Sequence, residues 1–413
     1  ALLFRFLKSS QPKEWDKLVN KHGTLIEENF LKKLHKDLDR YGMLHLLRHG
    51  IVDTPAKFSL CFFKPASSMN QTNLKMYEEN ILSITRQVRY SLKNENSIDV
   101  VLFVNGLPIS TIELKNAITG QTVANAKKQY MHDRSSHDLL LRFKSRCIVH
   151  FAVDTDEVWM TTRLKGIDTY FLPFNKGNNG GKGNPVGGGN YRTSYLWDEV
   201  LQKDSILDII HRFIHLENTE KETLIFPRYH QLDVVRKLVS DVKDKGTGNN
   251  YLIQHSAGSG KSNSIAWLSH HLSNLHDAND KVIFNSTIVI TDRRVLDKQL
   301  QDTIYQFEHV EGVVVKIDSD STQLAEALNT GKKIIITTIQ KFPFILEKIN
   351  NFEGKRFAII VDEAHSSQSG KASQKMKAIL GDANNFSEEK LLQQVADDEA
   401  KEENTTLDSE DEI

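Results

Sequence analysis

The strongest constraint on the fold is a regular alternation of short apolar segments and helical segments in the second half of the chain. Strands are predicted at 251–254, 286–291, 312–316, 332–337 and 357–361, and helices between them at 261–274, 294–306, 321–329 and 341–349. Short buried strands that alternate with helices are typical of a parallel α/β sheet. The second half is therefore predicted to form a parallel-sheet α/β domain.

A glycine-rich turn follows the first of these predicted strands, in the sequence AGSGKS. The backbone N–H groups of Gly258, Ser259 and Gly260 can surround phosphates, because the glycines permit a tight turn. Lys261 would reach the β and γ phosphates, and the Ser262 hydroxyl would bind Mg²⁺. The helix that starts here adds its N-terminal dipole. The pattern predicts a site for ATP with Mg²⁺.

A second pattern, FAIIVDEAH, places two carboxylates at the end of the last predicted strand. Ligands of open parallel sheets bind at the carboxyl ends of the strands. Asp362 is expected to hold Mg²⁺ and Glu363 to polarise the attacking water, since both tasks need a carboxylate near the γ-phosphate.

The first half of the chain contains a second group of acidic and basic residues on a predicted hairpin of strands 98–104 and 110–114. Asp99 lies on the first strand, and Glu113 and Lys115 lie together on one face at the end of the second, with Leu114 expected in the core. Asp99 and Glu113 could hold Mg²⁺ against a scissile phosphate, and Lys115 could orient or deprotonate water. The alternative is a surface strand with salt bridges.

Other segments of the first half give further secondary-structure predictions. Helices are predicted at 12–50, 68–92, 122–132 and 205–215, strands at 56–64, 147–153 and 158–162, and a glycine-rich loop at 174–190. The only two cysteines, Cys61 and Cys147, are expected to be reduced and buried, because their separation suggests neither a disulfide framework nor a metal site.

Composition indicates a soluble globular protein, with 39% hydrophobic and 26% charged residues and no apolar run long enough to span a membrane. A cytoplasmic location is therefore expected. Eleven carboxylates and two lysines give residues 388–413 a net charge of −9, so the remaining chain carries +8. That surplus is compatible with a phosphate-binding surface, and the acidic end reads as a disordered tail.

The motifs of the second half resemble those of superfamily 2 helicases and translocases over about 226–380. In that family Gln231 would contact the adenine, and the P-loop and DEAH residues would bind ATP and Mg²⁺ as described. The first half resembles the PD-(D/E)xK nuclease core, with Asp99, Glu113 and Lys115 at its three positions. No later motor motif follows residue 365, so only the first lobe of the motor is expected.

Joined in this order, the two halves resemble the restriction (R) subunit of Type I restriction-modification enzymes. The resemblance implies a mixed-sheet nuclease domain followed by a RecA-like P-loop domain, ATP-dependent movement on double-stranded DNA, and Mg²⁺-dependent cleavage. Methyltransferase (M) and specificity (S) subunits would be its partners. The implied domains are a nuclease at 1–200, a linker at 201–225, a motor lobe at 226–385 and the acidic tail at 386–413.

Two other functions fit the same motifs. A RecB-like repair helicase-nuclease would act on DNA ends and need no methyltransferase partner. A nucleotide-gated DNA-binding module would keep the carboxylates of the hairpin for a structural purpose only. Dependence of cleavage on a partner complex distinguishes the first of these from a Type I R subunit, and loss of cleavage on removing Glu113 excludes the second.

Overall fold

A computed structural model describes residues 1–362, except 67–68, 92, 187–190, 218–220, 257, 292–293, 308–311, 318–320 and 345–353. The chain divides after Arg236 into two compact units. Glu363 and the acidic segment 386–413 lie outside the described residues.

The first unit combines helices with a mixed sheet. Its helices are α1 (Leu2–Ser10), α2 (Pro12–His22), α3 (Ile26–Tyr41), α4 (Met43–His49), α5 (Gln71–Glu78), α6 (Val123–His132), α7 (Lys203–Asp208) and the start of α8 (Tyr229–Lys245). Its strands are β1 (Ile51–Asp53), β2 (Ala56–Phe58), β3 (Leu82–Arg89), β4 (Ser97–Val104), β5 (Leu107–Leu114), β6 (Val149–Val153), β7 (Val158–Thr161), β8 (Leu172–Pro173), β9 (His215–Glu217) and β10 (Thr223–Ile225).

The main sheet has the order β3-β4-β5-β6-β7-β8. Strands β5 and β6 run parallel, whereas every other neighbouring pair is antiparallel. Helix α6 begins with a capping box between Thr122 and Asn125, which satisfies backbone donors of its first turn. Its buried residues Val123, Ala126 and Tyr130 pack into the core of the sheet. The predicted mixed-sheet α/β fold of the first half is confirmed.

The turn of the β4–β5 hairpin differs from the prediction, which placed it at Gly106, Leu107 and Pro108. Asn105 and Gly106 form the turn with φ of 52° and 81°, and strand β5 already starts at Leu107. Two residues with positive φ match the twist of the flanking strands, which favours this short connection. The side chain of Asn105 fixes the turn: its amide donates to the Leu60 carbonyl, and its oxygen accepts from the backbone N–H of Ile81.

The helix predicted over 68–92 is wrong in its second half. Helix α5 ends at Glu78, and residues 82–89 form the edge strand β3, paired with β4 from Leu82 opposite Val104 to Arg89 opposite Ser97. The helical spacing of apolar residues was misleading, because Ile84 is 67% exposed and belongs to no core. Pairing with a distant strand determined the conformation here. The strand predicted at 56–64 is likewise shorter, spanning only Ala56–Phe58.

The expected linker, 201–225, is folded as part of the first unit. It contains α7, a π-helical turn at Ile209–Phe213 and the β9–β10 hairpin. The side chains of Ile206, Ile210 and Phe213 are fully buried. Arg48 also donates hydrogen bonds to the Ile210 and Ile214 carbonyl oxygens. The boundaries of the functional domains remain a prediction.

The second unit contains a parallel sheet, as predicted. Its strands are β11 (Ser286–Thr291), β12 (Val314–Lys316), β13 (Ile334–Thr338) and β14 (Phe357–Val361), in the order β12-β13-β11-β14. Its helices are α9 (Lys261–Ser273), α10 (Arg294–Gln306) and α11 (Ser321–Asn329), with a 3-10 helix at Ile339–Phe344. Helix α11 packs Leu324 and Leu328 against Ile288 and Ile335 of the sheet.

The strand predicted at 251–254 is wrong. These residues have no strand pairing among the described residues, and Leu252 is 87% exposed. A run of apolar residues does not by itself form a strand, because the extended backbone also needs a neighbouring strand to satisfy its hydrogen bonds. The helix predicted at 341–349 appears as the end of the 3-10 helix through Phe344, and its remainder lies outside the described residues.

Both cysteines are buried and free, as expected. Burial raises the pKa of the Cys61 thiol to about 12 and the pKa of Cys147 further still. Within the described ranges, none of the helices combines the length and the hydropathy needed to cross a bilayer.

Candidate functional sites

The β4–β5 hairpin brings Asp99 and Glu113 together at its open end. Val100 pairs with Ile112, so Asp99 and Glu113 are the next opposed residues of the antiparallel register. Asp99 Oδ2 accepts a hydrogen bond of 2.8 Å from the backbone N–H of Leu114. The sequence-based expectation that Asp99 faces Glu113 across the hairpin agrees with this geometry.

Glu113 is completely buried, at 0% exposure, and forms an ion pair with Arg134. The Nε of Arg134 donates to Glu113 Oε1 at 2.7 Å, whereas Glu113 Oε2 has no hydrogen-bond partner among the described residues. Burial raises the pKa of the Glu113 carboxyl to about 7; Arg134 acts in the opposite direction, and the negative charge of Asp99 adds to the rise. One oxygen of Glu113 is therefore held by Arg134, and the other accepts no hydrogen bond from a described residue, while the neighbouring Asp99 carboxyl also interacts with the Glu113 carboxyl.

Arg134 is itself fixed from a second direction. Its Nη2 donates to the backbone carbonyl of Ser97 at 2.8 Å, and its guanidinium lies 5.8 Å from the centre of the Tyr90 ring. Burial lowers the pKa of Arg134, but the Glu113 carboxylate more than offsets this, so the pKa is raised overall. Arg134 was not predicted from the sequence, because it lies two residues beyond α6 and belongs to no motif with a recognisable spacing.

Gln87 of strand β3 contacts the other carboxylate. Its Nε2 donates to Asp99 Oδ1 at 3.0 Å, and its Oε1 accepts from the hydroxyl of Ser97 at 2.8 Å. Gln87 has φ of 51°, which is uncommon for a residue other than glycine and especially so inside a strand. Sequence reasoning missed it because this segment was predicted to be helical.

Lys115 directly follows strand β5, and its backbone N–H donates to the Val153 carbonyl of β6 at 2.8 Å. Strand alternation puts its side chain on the same face as that of Glu113. The expected placement of Leu114 is wrong: Leu114 is 43% exposed while Glu113 is buried. The sheet is covered on both faces along most of β5, so the alternation of burial that would have marked the core face is absent.

A cavity of about 890 Å³ opens beside Asp99. Its lining is polar and includes Gln87, Ser97, Asp99, Gln129, His132 and Arg134. Tyr130, next to Gln129, points away into the core, where its hydroxyl lies 2.8 Å from that of Thr111. The cavity leads to Asp99 and Arg134, with Glu113 buried behind them.

The donors present at this site fit Mg²⁺. Two carboxylates supply the oxygen ligands that Mg²⁺ prefers, and the orphaned Oε2 of buried Glu113 is a polar atom in need of a partner. Within the described residues, no group of three or more His, Cys, Asp or Glu side chains is arranged to hold a metal ion by itself. Mg²⁺ commonly uses one or two carboxylates together with water and substrate phosphate.

The glycine-rich turn of the second unit has the backbone conformation that its sequence requires. Gly258 and Gly260 have φ of 73° and 83°, in the left-handed region. Helix α9 starts at Lys261, with Ser262 in its first turn, so the positive end of its dipole lies beside the loop. A helix N-terminus beside a glycine turn is a favourable place for phosphate, and the residues present therefore fit a nucleotide.

The remaining predicted nucleotide ligands lie on other elements. Asp362 follows strand β14, and its backbone N–H donates to the Ile290 carbonyl of β11 at 2.9 Å, at the carboxyl end of the parallel sheet. Gln231 lies in the first turn of α8 and is buried, with its side-chain oxygen accepting from the Arg228 N–H at 2.9 Å. The ligand roles of both remain predictions.

Comparison with known families gives a match in each half of the chain. Residues 19–168, which include the hairpin of Asp99 and Glu113, match the family model of the Type I restriction enzyme R protein N terminus. Residues 230–387, which include the glycine turn and the DEAH segment, match the family model of the SWI2/SNF2 ATPase. The two matches follow each other in the order expected from the motifs.

Curated relatives extend the similarity across both halves. The chain is 24% identical over 89% of its length to an endonuclease subunit of the type I restriction enzyme MjaVIIIP of Methanocaldococcus jannaschii, covering 37% of that protein. It is 28% identical over 71% of its length to the SsaAORF53P endonuclease subunit of Staphylococcus saprophyticus, covering 30%, and 27% identical over 66% to the HindI endonuclease subunit of Haemophilus influenzae, covering 26%. The chain thus spans about a third of the length of the curated relatives it matches.

Proposed function

Since the chain belongs to the R-subunit family of Type I restriction enzymes, we propose that it supplies the DNA-cleaving site and the first lobe of an ATP-driven DNA motor. The observation that carries the nuclease proposal is the pair of carboxylates facing each other across the β4–β5 hairpin, with the buried Oε2 of Glu113 left open. The substrate is double-stranded DNA, cut when it is unmethylated.

In the nuclease site, Asp99 and Glu113 hold Mg²⁺ and thereby define where the scissile phosphate binds. A bound Mg²⁺ would polarise the phosphate and lower the pKa of an attacking water. Lys115 orients that water or takes its proton, and its positive charge stabilises the charge that develops on the phosphate. The buried position of Glu113 strengthens these interactions, because little water screens them.

In the motor site, Lys261 and the N–H groups of Gly258, Ser259 and Gly260 bind the phosphates of ATP. Ser262 and Asp362 hold its Mg²⁺, Glu363 polarises the attacking water, and Gln231 contacts the adenine. Hydrolysis at this site drives movement along DNA. Recognition of a DNA sequence and its methylation belong to the partner M and S subunits.

Cleavage of supercoiled circular DNA by the assembled enzyme, with ATP and Mg²⁺ or Mn²⁺, tests the nuclease assignment. Glu113→Gln keeps the size of the side chain and a hydrogen-bond acceptor for Arg134, but it removes the metal-binding charge. We expect cleavage to fall by at least about 100-fold, as for the loss of a group that acts directly in catalysis. Glu28→Gln changes an exposed ion pair with Lys32 and is the matched control. Normal cleavage by Glu113→Gln would refute the nuclease assignment.

A further inference from the structure

We propose that Gln87 and Arg134 are positioning residues that hold Asp99 and Glu113 in place and leave Glu113 Oε2 as the oxygen that binds the divalent cation. This inference depends on the nuclease function proposed for the site. It concerns two residues that touch the metal-binding carboxylates and not the reacting atoms.

Arg134 determines which oxygen of Glu113 is available. Its Nε occupies Oε1 at 2.7 Å, and both partners are at most 5% exposed, so water cannot replace the guanidinium. The Oε2 atom remains without a hydrogen-bond partner among the described residues although it is buried. An unpartnered buried oxygen is costly for the folded protein and is common at sites that await a ligand. The arrangement therefore presents a single oxygen to a cation.

Gln87 performs the same task for Asp99. Strand β3 pairs Arg86 with Val100 and Val88 with Ile98, and Gln87, between them, has the left-handed φ of 51°. Such a conformation is strained for a residue other than glycine. It directs the Gln87 amide onto Asp99 Oδ1 at 3.0 Å. An irregularity in a strand that aims a side chain at a carboxylate is typical of functional sites.

Ser97 joins the two positioning residues. Its hydroxyl donates to Gln87 Oε1 at 2.8 Å, and its backbone carbonyl accepts from Arg134 Nη2 at 2.8 Å. The same residue at the start of β4 thus fixes both the amide and the guanidinium. Because each carboxylate is held by a partner that is itself held, their separation is set before a cation arrives. Outer residues of this kind orient metal ligands in many metalloproteins.

Titration of the whole chain with Mn²⁺, followed by electron paramagnetic resonance without nucleotide, tests the role of Gln87. Gln87→Gly removes the amide and relieves the positive φ, since glycine adopts this conformation readily. We expect about a ten-fold loss of Mn²⁺ affinity. Thr85→Gly is the matched control: Thr85 is exposed on the same strand, with ordinary backbone angles. It should keep the affinity but lose more stability in urea unfolding than Gln87→Gly.

Arg134→Lys tests the positioning role of Arg134 while it keeps the positive charge. A lysine ammonium cannot reproduce the planar fork that reaches both Glu113 and the Ser97 carbonyl. We expect a loss of Mn²⁺ affinity similar to that of Gln87→Gly. The control Lys32→Arg exchanges the same two residue types at an exposed ion pair and should leave the affinity unchanged.

The outcome with Glu113→Gln separates this inference from the function on which it depends. Loss of Mn²⁺ binding in Glu113→Gln, with normal binding in both Gln87→Gly and Arg134→Lys, would overturn the positioning role alone. Normal Mn²⁺ binding in Glu113→Gln would overturn the metal site and the positioning role together. Weaker binding in all three variants, with the two controls at the level of the unchanged protein, is the expected result.

Discussion

A buried hydrogen-bonded group next to the candidate nuclease site connects two strands and one helix through single residues. The hydroxyl of Thr111 on β5 lies within hydrogen-bond distance of Tyr130 on α6 and of His150 Nδ1 on β6, at 2.8 and 2.7 Å. Each of these side chains is nearly inaccessible to water. Burial lowers the pKa of His150 to about 3. This histidine is therefore neutral at physiological pH and serves the packing of the sheet.

His150 makes the first unit sensitive to acid. In the unfolded chain its pKa is about 6.5, so between that value and about pH 3 the unfolded chain binds a proton that the folded chain does not. The contribution of His150 to the free energy of unfolding should thus be largest above pH 6.5 and fall as pH decreases, by several kcal/mol at about 1.4 kcal/mol per pKa unit. His150→Asn keeps a polar atom near Nδ1 but does not titrate, and it should flatten this dependence. Urea unfolding between pH 4 and 8, at about 25 °C, measures how the free energy of unfolding changes with pH in the unchanged protein and in His150→Asn. The same dependence on pH in both proteins would contradict the prediction.

At the level of elements, the β4–β5 hairpin organises the first unit, because it carries the carboxylates at one end and a buried turn at the other. The turn residue Gly106 packs against helix α1, and a Cβ there would lie 2.9 Å from the backbone nitrogen of Leu3. Neither backbone can move far without disturbing the hairpin. The position therefore requires glycine for two reasons, its positive φ and the close approach of another backbone.

Gly106→Ala should destabilise the protein more than Gly120→Ala. Gly120 also has a positive φ, of 69°, but a Cβ there would meet nothing within 4 Å. Its substitution should cost about 1 kcal/mol for the backbone conformation alone. Gly106→Ala adds the contact with Leu3, and overpacking of this kind costs at least about 1 kcal/mol more. Comparison of the two unfolding free energies in urea measures the difference. Equal values would mean that helix α1 moves away from the added Cβ at no cost in stability.

At the level of the whole molecule, the carboxylates of the candidate nuclease site and the glycine turn of the candidate nucleotide site belong to different compact units. Asp99, Glu113 and Lys115 lie in the unit that ends at Arg236, and Lys261 and Asp362 lie in the unit that follows. Each site has its own core and its own proposed Mg²⁺, so substitutions can disable one without unfolding the other. The proposed function nevertheless requires that cleavage waits for movement along DNA.

Substitutions of the two lysines should separate these activities in the enzyme assembled with the proposed M and S subunits. Lys115→Ala should abolish cleavage of circular DNA and leave DNA-dependent ATP hydrolysis unchanged, because the role proposed for Lys115 is confined to the scissile phosphate. Lys261→Ala should abolish both, although the nuclease carboxylates are intact. Parallel assays of ATP hydrolysis and DNA cleavage measure this. Cleavage at the normal rate by Lys261→Ala would show that the motor does not control the nuclease.

Much of the architecture and the nucleotide motif follows from local sequence. The alternation of apolar and helical segments gave the parallel sheet of β11–β14, and the bounds of β11, α11 and β14 agree with their predictions. These elements are locally determined, because buried parallel strands are apolar throughout and glycine turns need particular residues. Asp99, Glu113 and Lys115 were likewise predicted from the pattern of a hairpin, whose two strands are close in sequence, and their roles stay a prediction.

Tertiary structure decided what depends on partners distant in the chain. Residues 82–89 have helical spacing but form a strand because β4 offers its backbone, and residues 251–254 are apolar but gain no such partner among the described residues. Gln87 and Arg134 reach the carboxylates only after the sheet and α6 have formed, across separations of 12 and 21 residues. No local pattern encodes such contacts, since they depend on register and on burial. The sequence by itself determined the chemical groups and their elements, and the tertiary structure determined which oxygen of Glu113 stays open.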